Sequence, residues 1–498
     1  MLKRNLIANY LGQGWAALMG LAFIPLYIKY LGIESYGLIG LFAILTAWSN
    51  LLDMGLTPTL GREMARYTAG SHSAESIRDL LRSIEFIAVA VAFTIVGMIA
   101  LGSEWLATSW IRSEMLPREI VAQALTVMGM VTALRFIESI YRSAIMGLQR
   151  QVLFNIISSA MSTVRWVGAL AILVWVAPTI QAFFLWQGAV SIVTLVILFI
   201  TTYSCLQPSS RIGHFSLASL RGVWRFAGGM MGITFLALLL TQVDKILLSK
   251  LISLLDYGHY TLAAVVAGGL YLLVSPVTQA WFPRLSQLHA ENDHRMLIHT
   301  YHQGAQLISI VAGSAALILI FYAETLLNLW TQDTVLSHHV APLVRLLALG
   351  NLLNALMYIP YQTQLAHGWT TLAVKINVIA VMVVIPCILW ATPRYGAEGA
   401  AWTWVGLNAA YVLVGVHFMY KRILTTEKWR WYTGDVLAPI IGAFITIFGV
   451  KLIWPNPQTI LSQTVVLAIA TLMALGGGVL AASKVRDPIA NKIRHYFA

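Results

Sequence analysis

Apolar residues run through this chain in blocks of about twenty, and polar residues are confined to the short stretches between them. A transmembrane helix needs roughly 20 consecutive apolar residues. Fourteen stretches of that kind can be marked, at 6–28, 36–58, 83–103, 120–141, 152–176, 179–202, 226–249, 259–282, 303–323, 340–362, 372–391, 398–420, 433–453 and 459–482. Soluble helices keep a polar face, which these stretches lack. The pattern predicts an all-α polytopic membrane protein of about 14 spans. The first stretch follows Lys3 and Arg4 as a signal peptide would, but it is too long for the apolar region of one and has no small-residue cleavage site, so it reads as a retained first span.

Composition agrees. Of 498 residues 58% are hydrophobic and 10% charged, with a mean hydropathy of +0.75; soluble domains carry about 25% charged residues, so an ordinary water-soluble enzyme is excluded. Cys205 and Cys387 lie far apart and build no disulfide framework. The formal charge of +12 raises the question of nucleic acid, but the basic residues are scattered over eight short pieces without a continuous stripe or interleaved aromatics. They fit the bias that orients membrane proteins instead. With the N-terminus in the cytoplasm, 22 Lys and Arg fall on the cytoplasmic side and 6 on the other, and four lie inside spans. Both termini are then expected to be cytoplasmic.

An internal repeat is also legible. Lys29 matches Lys250, Tyr36-Gly37 matches Tyr257-Gly258 and Ala43 matches Ala264 at an offset of 221, and Asn155 matches Asn377 at 222. Six spans separate the copies, so both enter the membrane in the same sense. Such parallel repeats form two lobes with a site between them near the midplane, and one lobe rocks against the other. The expected lobes are 1–225 (spans one to six) and 226–430 (spans seven to twelve), with 431–498 adding spans thirteen and fourteen and a cytoplasmic tail.

No GxxxxGK[ST] loop is present and the dipeptide Gly-Lys does not occur, so no phosphate-cradling ATP site is expected. The outer acids are scattered through short loops, which offers no paired-carboxylate catalytic domain. His289, His294, His299 and His302 fall near one cytoplasmic loop without an HExxH arrangement and read as a solvated loop. No catalytic residue, metal or cofactor is expected, and the chain does not read as an enzyme.

What remains is the set of ionisable residues inside spans, which are costly in lipid and mark a pathway or an internal pairing. Arg165 lies 13 residues into span five, near the midplane. Arg135 precedes Glu138 by three and Glu138 precedes Arg142 by four, the spacing of a salt-bridge ladder on one helix. Arg345 sits about two turns from the outer surface in the tenth stretch, and Lys245 neighbours Asp244 in the seventh. Asp53, near the end of span two, either pairs with a base such as Arg62 or Arg66 or carries a coupling ion. Arg165, Arg135, Lys245 and Arg345 are the candidate substrate-binding residues; Asp53, Asp244 and Glu138 are the candidates for proton or sodium coupling. Four cations face three acids, with Glu85 at a span edge, which favours an anionic ligand. Arginine in particular suits phosphate through paired hydrogen bonds. Pro25, Pro276, Pro360 and Pro386, with Gly228-Gly229 and Gly268-Gly269, would permit helix kinks.

The opening Asn9 and Gln13, PLYIKYLGIESYGLIG from Pro25, LLDMGL around Asp53, QVDKILLSKL from Gln242, YGHY from Tyr257 and WFPRLSQL from Trp281 together resemble the polysaccharide-type (O-antigen) flippases of the MOP exporter superfamily. The resemblance implies a protein of the bacterial cytoplasmic (inner) membrane that turns a polyprenyl-pyrophosphate-linked oligosaccharide from the inner to the outer leaflet. It further implies a basic central cavity, contact with membrane lipid, coupling to a proton or sodium gradient, and glycan polymerase and chain-length proteins as partners. Two rival functions stand beside it: a cation-coupled drug or metabolite exporter of the same superfamily, which calls for a cavity of acids and aromatics, and a membrane glycan polymerase or ligase, which calls for a large outer loop.

Overall fold

In a bilayer every backbone N–H and C=O must be satisfied within the chain, and a helix does this segment by segment. The computed structural model describes residues 2–53, 55–208, 213–217, 220, 235, 238–239, 241–369, 371–455 and 459–487. Among the described residues there is no strand, only an isolated bridge between Arg112 and Ser253. Eleven of the described helices are long and apolar enough to cross a membrane, and Ile33–Ser49 is a shorter apolar helix. The chain is an all-α polytopic membrane protein. The expected lobe boundary at 225/226, Gly228-Gly229, much of the stretch 226–249, and Arg211, Arg221, Arg225, Lys492 and Arg494 lie outside the described residues.

The chain forms two compact units, Met1–Gly258 and His259–Ala498. The first holds α1 (Leu2–Leu31), α2 (Ile33–Leu52), α3 (Leu56–Thr68), α4 (Ala74–Trp105), α5 (Arg118–Gly147), α6 (Gln151–Trp175), α7 (Ile180–Cys205) and the described part of α8 (241–251). α5 is the hub, packing against α2, α3, α4 and α7. Leu60, Met64, Ile77, Leu81, Ile84, Phe136 and Ile140 from α3, α4 and α5 form one buried cluster. Phe93, Leu101, Val176, Leu185 and Ile200 remain exposed, the faces that lipid rather than water would cover.

The stretch 36–58 divides. α2 ends at Leu52, Gly55 takes a left-handed φ of 74°, and α3 begins as a separate helix whose apolar side joins the buried cluster. Asp53 sits at that junction. Its carboxylate accepts from the Thr57 backbone N–H at 3.0 Å and the Thr57 hydroxyl at 2.6 Å, so a negative charge lies at the positive end of α3. Arg66, one of the bases considered as its partner, turns to Glu63 at 3.0 Å, which also meets His72 at 2.7 Å.

The glycines matched by the repeat meet one another. A Cβ on Gly37 would lie 2.6 Å from the Leu254 carbonyl oxygen, and one on Gly258 would lie 2.3 Å from that of Ile33. Both contacts reach the residue four places before the other glycine, and Ile33 and Leu254 themselves differ by the repeat offset. Tyr36-Gly37 and Tyr257-Gly258 therefore mark a close helix crossing that only glycine permits.

α9 (Leu254–Ala290) leads into the second unit, which contains α10 (His294–Thr331), α11 (Thr334–Leu356), α12 (Tyr358–Ala366) and α13 (Thr371–Ala410). A π-helical turn at Tyr411–Gly415 joins α13 to α14 (Val416–Tyr420), and another at Trp431–Leu437 joins α15 (Lys428–Arg430) to α16 (Ala438–Ile453), followed by α17 (Ile460–Ala481). α10 is the most enclosed span and packs on α11, α16 and α17. α13 carries the expected spans eleven and twelve in one element broken at Gly396, where φ is 56° and ψ −144°. A Cβ at Gly399 would stand 2.6 Å from the Ala391 carbonyl, whereas eight residues of continuous helix would separate the two by about 12 Å. The chain doubles back there, and the two expected spans form a hairpin.

Candidate functional site

Inside the first unit, four helices bring polar groups to one place. α5 supplies Arg135 and Glu138, α6 supplies Arg165, α7 supplies Gln187 and Ser191, and α2 supplies Phe42. The Arg165 guanidinium lies 3.7 Å from the Glu138 carboxylate and donates to the Ser191 hydroxyl at 3.4 Å. Arg135 donates to the Gln187 amide oxygen at 3.0 Å and lies over the Phe42 ring, 4.6 Å from its centre. Glu138 is buried, and both arginines are largely enclosed.

Of the two guanidiniums only Arg165 thus faces a carboxylate among the described residues, and that carboxylate is at ion-pair rather than hydrogen-bond distance. Among the described residues the Arg135 Nε and the Glu138 Oε1 nearest Arg165 have no hydrogen-bond partner. A buried guanidinium has five donors and no acceptor, so the cluster retains both uncompensated positive charge and unused donors. It can hold an oxyanion.

The expected ladder along α5 is not formed. Among the described residues Glu138 pairs with neither Arg135 nor Arg142; Arg135 turns to α7 and α2, and the exposed Arg142 stacks over Phe154 at 5.6 Å. Intrahelical pairs contribute only about 0.2–0.5 kcal/mol, less than the loss from leaving a buried donor without a partner. Cross-helix partners therefore win. Arg165, in turn, is half of an ion pair within the first unit.

The other candidates lie elsewhere. Lys245, on α8 beside the half-buried Asp244, donates to the Gln242 side chain at 3.3 Å and the Thr241 carbonyl at 3.5 Å of its own helix. Arg345, on α11 of the second unit, is exposed. Asp53 belongs to the start of α3. Glu85 is buried on α4 and accepts from the hydroxyls of Tyr141 at 2.9 Å and Tyr203 at 3.0 Å, with Arg82 at 2.9 Å; it braces α4, α5 and α7.

The histidine reading changes most. His302 is not in a solvated loop: it is fully buried on α10, its Nδ1 against Asp435 and its Nε2 2.9 Å from Glu427. Gln306 donates to the other Asp435 oxygen at 2.9 Å and accepts from the Lys484 backbone N–H at 2.8 Å. This knot ties α10 to the turn before α16 and to the chain after α17. Asp435 held the signal, since it lies inside the stretch 433–453, where a lone acid needs a partner.

The family profile described as "Polysaccharide biosynthesis protein" matches residues 2–289, and one described as "MatE" matches 230–390. A putative O-antigen transporter of Shigella flexneri is 19% identical over 428 residues, spanning 85% of this chain and 99% of that protein. Among solved structures, the lipid II flippase MurJ in an inward closed conformation superposes with a TM-score of 0.71 at 13% identity, covering 97% of this chain and 99% of the other. An inward-facing multidrug resistance MATE transporter of the MOP superfamily gives 0.65 at 14% identity, covering 83% and 96%. At such identities the structural likenesses establish the fold. They agree with the resemblance read from the sequence.

Proposed function

Because the chain belongs to the polysaccharide biosynthesis protein family, with more than half its length inside that family's profile, we propose that it is a flippase that carries a polyprenyl-pyrophosphate-linked oligosaccharide across the bacterial inner membrane. The observation that carries this reading is the pair of guanidiniums, Arg135 and Arg165, enclosed among α2, α5, α6 and α7 with one carboxylate, Glu138, which among the described residues pairs with Arg165 and not with Arg135. The relatives support it by what they are named: a putative O-antigen transporter and a lipid II flippase.

The barrier to such a step is the pyrophosphate and its attached sugars, since an unpaired charge in hydrocarbon costs many kcal/mol. In this proposal Arg135 and Arg165 receive the phosphate oxygens through charge-assisted hydrogen bonds, and the polyprenyl tail stays in lipid. Glu138 competes with the cargo for Arg165, which keeps binding weak enough for release on the far side. Glu138 and Asp53 are the coupling candidates that remain buried. Alternating access between halves related by the repeat supplies the movement. The Lys and Arg distribution, 22 against 6, supports cytoplasmic termini.

The drug-exporter reading shares the fold, and the sign of the charge separates them: a cationic drug would be repelled by two guanidiniums around one acid. In vesicles containing the purified protein, a fluorescently labelled polyprenyl-pyrophosphate oligosaccharide should equilibrate between leaflets at least tenfold faster than in protein-free vesicles. A lipophilic cationic dye should gain nothing. Acceleration of the dye alone would assign the protein to the exporters.

A further inference from the structure

The second unit holds a cavity of quite different chemistry. About 240 Å³ in volume, it lies between the end of α11, α12, the first turns of α13 and the π-helical turn at Tyr411, and its wall includes Asn354, Tyr358, Gln364, Ile376, Asn377 and Tyr411. Among the described residues no charged side chain lines it. Tyr411 donates to the Asn377 side-chain oxygen at 3.2 Å, and Asn354 donates to Asn408 at 2.8 Å, so the two amides are held in fixed orientation. Tyr411 also opens the π-helical turn that joins the hairpin to α14, and such irregular turns recur at functional sites.

Gln364, 4% exposed, adds a third amide side chain to the wall.

The occupant can be specified from the walls. The absence of cations excludes phosphate, and the volume falls below the roughly 300–1,000 Å³ of sites for drug-sized ligands. Amides that accept and donate, beside tyrosine rings with an apolar face and a polar edge, suit a molecule with hydroxyls around its rim and C–H groups on its faces. We propose that this cavity binds a single neutral sugar ring. It rests on the flippase reading for its purpose, as a subsite for the glycan of the lipid-linked cargo distinct from the cationic cluster of the first unit, but its binding can be measured independently of transport.

The test is saturation-transfer NMR on the full-length protein in nanodiscs, with glucose, galactose, mannose, N-acetylglucosamine, N-acetylgalactosamine and rhamnose as separate probes. At least one sugar should receive saturation from the wild type. Gln364→Leu and Tyr411→Phe should each weaken it three- to tenfold, since each removes one hydrogen-bonding group, while Arg284→Gln, at an exposed cation of the second unit away from both sites, should leave it unchanged. Failure of every sugar, or undiminished transfer in both cavity variants, overturns the proposal. Loss in the double variant Arg165→Ala with Glu138→Gln would place sugar binding at the cationic cluster instead and overturn the proposal. Absence of lipid flipping by the wild type with sugar transfer intact would count against the flippase reading while leaving the sugar cavity standing.

Discussion

Arg165→Ala should reduce delivery of lipid-linked glycan to the outer leaflet at least a hundredfold in cells that depend on this protein. Hydrogen bonds to ionised groups contribute about 1.5–3 kcal/mol each, and a guanidinium can make two in parallel to a phosphate, so losing both exceeds the 2.8 kcal/mol or so that a hundredfold change requires. The variant also strands Glu138, whose partner at 3.7 Å is gone, and an uncompensated buried carboxylate destabilises the fold. The double variant Arg165→Ala with Glu138→Gln removes that strain, and it should insert normally while remaining defective. Arg165→Lys keeps a point charge without the planar fork and should retain part of the function. Normal surface polysaccharide in the double variant would remove Arg165 from the transport path.

A second large effect concerns stability. His302→Ala leaves the buried Asp435 with Gln306 and the largely buried Glu427 with Arg430, and removing one partner of a buried, hydrogen-bonded carboxylate costs about 3–5 kcal/mol. Denaturant unfolding of the purified protein should show a loss of that size. Asp435→Asn should lose less, since His302 keeps Glu427 and the amide can still hydrogen-bond. An unchanged midpoint in His302→Ala would mean that the α10–α16 connection does not depend on the imidazole.

Much of the fold was legible because lipid leaves the chain little choice. A run such as 180–205 in water-free surroundings can only be helical, and the breaks at Pro178 and around Gly396 were visible as interruptions of hydrophobicity. The repeat was legible for a different reason: Gly37 and Gly258 face each other at backbone contact, so neither position tolerates a side chain. The helix break beside Asp53 was not legible because the apolar character of 36–58 continues across it, and hydropathy does not register the left-handed Gly55.

Side-chain partnerships were the less legible layer. Spacing alone suggested that Glu138 serves Arg135 and Arg142, yet three-dimensional packing gives it Arg165, 27 residues away in sequence. His302 and Asp435 are separated by more than a hundred residues, and nothing local to either announces the other. The sugar-sized cavity depends on a hairpin, a helix break and a π-helical turn at once, none of which a hydropathy pattern encodes.

The account stands on excess positive charge around Arg135 and Arg165, and binding of the bare carrier lipid isolates that charge from the glycan. Titrating the purified protein with undecaprenyl pyrophosphate and with undecaprenol should show at least tenfold tighter binding of the pyrophosphate, and the preference should vanish when both arginines are changed to Gln. Equal affinity for the charged and uncharged lipids in the wild type would contradict it.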